Sequence, residues 1–163
     1  MKKRVAAFVG AIVLAGLALA PAATAEKPAR FFLPTDDFVL SGPCAFDVDY
    51  HVLTNKEYGT LFSNGHLLIT GSFKVRLTNL SNGHSMDVNI SGPGVITFLP
   101  DGGLKVTAWG NWLFWFFPGM LGPQSPGKLL LTTGLTSEVL DANVNVVSLE
   151  LPRNTTDACA ALA

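Results

Sequence analysis

The stretch from Ile69 to Thr78 alternates without a fault: Ile69, Gly71, Phe73, Val75 and Leu77 against Thr70, Ser72, Lys74, Arg76 and Thr78. Side chains of an extended strand point to opposite faces in turn, so this period of two gives one apolar and one solvated face. A helix would scatter the same residues around its axis. The pattern recurs where Phe46, Val48, Tyr50 and Val52 alternate with Asp47, Asp49 and His51, and where Met86, Val88 and Ile90 alternate with Asp87 and Asn89. Further strands are predicted at Val95–Leu99, Leu104–Trp109, Lys128–Thr133 and Asn143–Leu151. Ser63-Asn64-Gly65, Ser81-Asn82-Gly83 and Asp101-Gly102-Gly103 fall between strands as hairpin turns, because Asn and Gly accept positive φ. Ser91-Gly92-Pro93-Gly94 separates one strand from the next. The expected fold is all-β, an antiparallel meander of about eight strands closing into a small barrel, since closure leaves no bare edge. A two-sheet β-sandwich is the alternative.

The start of the chain carries an address. Lys2, Lys3 and Arg4 precede the apolar run Val5–Ala20, and Ala23-Thr24-Ala25 has the small-x-small form of a signal-peptidase site. A cleavable signal helix is therefore expected over 1–25, cut between Ala25 and Glu26. The apolar run holds 16 residues, fewer than the roughly 20 of a membrane span, so no stable membrane insertion is expected after cleavage. Lys-Lys-Arg instead of paired arginines points to the general secretory route. Leu151-Pro152-Arg153-Asn154-Thr155 fails as a wall-sorting signal because Asn154 stands where threonine is required. The reading is a secreted, extracellular protein, with a flexible linker over 26–37 and a single β domain over 38–163. Three of the 11 basic residues lie in the leader, leaving eight against 12 acidic ones. That mild acidity, with scattered cations, argues against a nucleic-acid partner.

Cys44 and Cys159 are the two cysteines. In an oxidising compartment such a pair is expected to form a disulfide, here closing most of the domain into one loop. No motif for nucleophilic catalysis or zinc binding is present, and no cofactor is expected. Asp47, Asp49 and His51 share one strand face and form a weak candidate metal or acid–base set, which would need further ligands from a neighbouring strand. A solvated outer face is the simpler reading of them.

Several segments resemble a group of small exported actinobacterial proteins of unassigned function: Cys44-Ala45-Phe46-Asp47-Val48, Asn89-Ile90-Ser91-Gly92-Pro93-Gly94, Gly110-Asn111-Trp112-Leu113-Phe114, Leu131-Thr132-Thr133-Gly134 and Asp157-Ala158-Cys159-Ala160-Ala161-Leu162. The resemblance implies an exported β domain with a terminal disulfide. It brings no catalytic residues with it.

One segment breaks the alternation. Between Trp109 and Leu121 lie all three tryptophans, and Leu113 to Phe117 are apolar without interruption. Either both faces of that stretch are buried, or one is exposed for a purpose. Three readings follow: aromatics that complete a core, an apolar pocket for a small ligand, or a surface wedge against lipid or an envelope component. The candidate ligand-binding residues are Trp109, Trp112, Phe114, Trp115 and Phe116. Non-covalent binding of an apolar small molecule is the leading functional expectation, a structural or interaction protein of the envelope the alternative, and a metal-dependent enzyme the third.

Overall fold

A hairpin of two 14-residue strands, β3 (Val48–Leu61) and β4 (His66–Asn79), forms the spine of the molecule. The computed structural model describes residues 27–163; the signal peptide and its cleavage point at Ala25 and Glu26 lie outside the described residues. Ser63-Asn64-Gly65 turns the hairpin as predicted, with Phe62 N–H donating to the His66 carbonyl at 2.9 Å and Gly65 at φ 80°. Halfway along, the hairpin bends. The register slips between Val52 and Thr54, and Gly71 lies opposite Glu57 so closely that a Cβ would overlap the Lys56 carbonyl. An irregularity of this kind bends a strand and increases its twist.

The two halves of the hairpin consequently take different partners. Near its open end, β2 (Phe38–Leu40) pairs with β3 and β5 (Ser85–Asn89) with β4. Near its turn, β1 (Ala29–Phe32) pairs with β3 and β6 (Gly94–Phe98) with β4. From β6 the sheet continues through β7 (Leu104–Ala108), β10 (Thr136–Leu140) and β11 (Val146–Glu150), with every pair antiparallel. A separate three-stranded sheet runs in the order β12 (Asn154–Asp157), β9 (Lys128–Thr133), β8 (Asn111–Phe116).

The middle of that small sheet packs on both sides. Leu113 and Leu129 join Leu40, Val48, Tyr50, Val75 and Leu77 in one core. Phe114, Phe116 and Leu130 join Ala108 in another, against which Val146 and Leu149 pack. Neighbouring residues on a strand face opposite ways, so the small sheet lies between two parts of the large one. Alternation fails at Leu113–Phe114 and Leu129–Leu130 for this reason, since a strand buried on both faces reads as an unbroken apolar run. Trp115 and Phe117, 40% and 42% exposed, prolong the run without being buried.

The antiparallel all-β organisation follows the alternation. Among the described residues no closed barrel forms: the large sheet runs out at β1 and β11, which do not pair. Ala29–Phe32, within the segment expected to be a linker, is a strand. Phe31 lies over Gly59, and the Arg30 guanidinium sits 4.5 Å from the centre of the Tyr58 ring, so aromatic and cation–π contacts hold the segment down.

Cys44, between β2 and β3, is bonded to Cys159 with their Cα atoms 5.4 Å apart. Cys159 belongs to a short helix, α1 (Ala158–Leu162), capped by the Asp157 carboxylate, which accepts from the N–H groups of Cys159 and Ala160. Buried Leu162 anchors the helix in the first core, and its carbonyl accepts from Asn79 Nδ2 at 2.9 Å.

Candidate functional site

β8 is an edge strand of the small sheet, and its outer side faces the seam where β5 gives way to β6. The Asn111 carbonyl accepts from Gly92 N–H at 2.9 Å, and Trp112 Nε1–H donates to the Pro93 carbonyl at 3.3 Å. A Cβ at Gly92 or Gly94 would overlap the Trp112 ring. Gly92-Pro93-Gly94 is therefore more than the expected break between strands: its bare backbone is the bed of this indole. From there an aromatic column runs down β8, Trp112 stacked on Phe114 at 5.9 Å and Phe114 on Phe116 at 6.5 Å.

Beside this column lies a cavity of about 230 Å³. Phe114 and Phe117 border it from the β8 side, and Ile96, Val106 and Leu140 from β6, β7 and β10. One charged side chain lines it, Glu138 of β10. A second cavity, of about 130 Å³, adjoins the first along Trp112, Leu113 and Trp115; Tyr50, Phe73 and Glu57 line its far side. Together the two reach the lower end of the roughly 300–1,000 Å³ usual for small-molecule sites.

The electrostatics are unusual. Glu138 is only 6% exposed, yet its carboxyl makes no hydrogen bond or ion pair among the described residues. Among the described residues no Lys, Arg or His lines either cavity. Burial pushes the Glu138 carboxyl up to about 7, because an apolar surrounding disfavours the charged form. Glu57 is also raised by burial, and the Tyr50 phenol is raised by burial and by the Glu57 charge.

Strain collects at the same place. Val144, 56% exposed at the edge of the larger cavity, has φ 65°, a left-handed conformation that a β-branched residue rarely adopts. The turn between β10 and β11 holds it there: Asp141 Oδ1 accepts from the N–H groups of Asn143 and Asn145, each at 2.8 Å.

Of the five aromatic candidates, Trp112, Phe114 and Trp115 meet at the cavities. Phe116, 1% exposed, belongs to the core, and Trp109 is 43% exposed and lines neither cavity. Asp47, Asp49 and His51 do not form a centre. His51 Nδ1 instead lies 2.6 Å from Asp37 Oδ2, and the Val52 N–H donates to Asp37 Oδ1 at 2.7 Å. That backbone bond, then the one from His51, holds the Asp37 carboxyl below its ordinary value. No group of three His, Cys, Asp or Glu side chains suited to a metal occurs among the described residues.

Sequence reasoning missed Glu57 and Glu138. Glu138 sits between Thr136 and Leu140 at period two, a faint signal, and only its register opposite Val106 and Leu149 turns it inward. A larger hollow of about 570 Å³ between β5 and β12 is open to solvent and lined by polar side chains such as Asn89, Thr133 and Asn154. Compared with models of known protein families, with curated proteins and with solved structures, the chain matches none.

Proposed function

We propose that this is an exported binding protein whose seat for an apolar small molecule is the paired cavity beside β8. The observation that carries the reading is the meeting of Trp112, Leu113 and Trp115 with empty apolar volume on both sides of them. A strand wholly committed to packing would leave no such volume, since interiors close to near-crystal density. The strained Val144 at the cavity edge supports the same reading, because strain of this kind clusters at functional sites. Export rests on the leader at 1–25, and the Cys44–Cys159 bond suits an oxidising compartment. For the architecture, the layered arrangement of two sheets favours the sandwich over the barrel.

Protein isolated natively from culture medium, extracted and examined by mass spectrometry, is expected to yield a stoichiometric small molecule. Ligand-free protein whose tryptophan emission also stays unchanged on titration with neutral apolar probes would rule the reading out.

A further inference from the structure

The apolar seat contains a group that an apolar ligand cannot satisfy. We propose that the ligand is a cation with an apolar body, an alkyl or aryl ammonium, whose charged end pairs with Glu138; this rests on the binding function proposed above. Glu138, 6% exposed as a residue, lines the cavity, and its carboxyl has no partner among the described residues. On β7 and β11 it stands beside Val106 and Leu149, neither of which can bond it.

Ligand chemistries differ sharply in what they would do here. A neutral hydrocarbon would seal the carboxyl away from water with no hydrogen bond, which is costly. An anion would meet like charge from Glu138, with Glu57 on the other side of Trp112 and Trp115. An ammonium group gains a charge-assisted hydrogen bond to the carboxylate. It also gains the aromatic surroundings: Trp112, Phe114, Trp115 and Phe117 border the same space, and ring faces attract cations. Carboxylate and aromatic walls, with no basic side chain lining the space among the described residues, select one sign of charge.

Three probes with the same six-carbon tail separate the possibilities: hexylammonium, hexanol and hexanoate, titrated at pH 8 into the full secreted protein with tryptophan emission as the readout. Hexylammonium is expected to bind about tenfold or more tighter than hexanol, and hexanoate more weakly than either. Glu138→Gln is expected to erase the preference for hexylammonium over hexanol. If hexanol binds wild-type protein as tightly as hexylammonium, the cation assignment is wrong and the apolar seat stands. Failure of all three probes to bind would remove both. The wild-type ratio decides the matter even if the variant folds poorly.

Discussion

Glu138 gives the sharpest test of how the interior is built, because its effect on stability can be worked out without any ligand. Its carboxyl titrates at about 7 in the folded protein against an ordinary 4.5. Folded protein therefore holds this proton more tightly than unfolded chain, and raising the pH between those values favours unfolding. The contribution is fully present below pH 4.5, falls as pH climbs to about 7, and is constant above. At 1.36 kcal/mol per pH unit the interval sets a ceiling of about 3 kcal/mol. The cavity admits water, so a realistic loss is about 1–2 kcal/mol. Glu138→Gln has no charge to develop, and its amide costs the same at every pH. Urea unfolding of both proteins at pH 4.5, 5.5, 6.5 and 8, with the disulfide intact, should show the variant gaining about 1–2 kcal/mol on wild type across the series. Glu57, raised in the same direction, and Asp37, Asp87 and Asp141, lowered by their hydrogen bonds, are present in both proteins and cancel in the difference. A difference that stays flat with pH would refute the picture of an unpartnered carboxyl. A difference of opposite sign would mean that a cation or donor faces Glu138 in solution.

Other parts of the fold make their own predictions. Replacing Cys44 and Cys159 with serine opens a loop with a sequence separation of 115, and chain-entropy arguments give a loss of about 4–5 kcal/mol at most, read as a lower urea midpoint. Gly94→Ala places a methyl group inside the Trp112 ring and is expected to cost about 1–3 kcal/mol, with a shift in tryptophan emission as the indole leaves its bed. Thr136 is completely buried with its hydroxyl unpaired among the described residues. Thr136→Val should therefore stabilise the protein by about 1 kcal/mol, visible as a higher thermal midpoint.

Much of the fold was legible where one face of a strand meets water. The outer residues Asp49 and His51 mark the inner residues Val48 and Tyr50, and the three Asn-Gly or Asp-Gly turns fall where the hairpins reverse. Legibility fails at the small sheet and at β10. Burial on two faces erases the alternation at Leu113–Phe114 and Leu129–Leu130, and the exposed Trp115 extends the β8 run, so the apolar stretch does not say which of its residues are buried or against what. In β10 the inward set is Thr136, Glu138 and Leu140, and polar residues at two of three inward positions disguise the face. Residues 53–61 read poorly because the slip between Val52 and Thr54 shifts the alternation halfway along the strand. The disulfide needed no geometry, since an isolated pair of cysteines has one possible pairing.

The aromatic segment and Glu138 are two halves of one arrangement, and each explains why the other is tolerated. Trp112 and Trp115 come from an edge strand whose outer side no neighbouring strand covers beyond Asn111, so their rings border space as well as packed atoms. A carboxyl placed against solid packing would have to be satisfied or expelled; placed against that space, Glu138 can stay protonated near neutrality without a partner. The cost of keeping it there is local, and the stabilising features lie elsewhere: Cys44–Cys159 and α1 belong to the opposite core, with Leu162 and Asn79. A domain with a net stability of about 5–15 kcal/mol can carry one such site only if the rest is well held. The first core, under the disulfide, borders the smaller cavity through Tyr50, Phe73 and Leu113, while the strained Val144 and the buried Glu138 line the larger one.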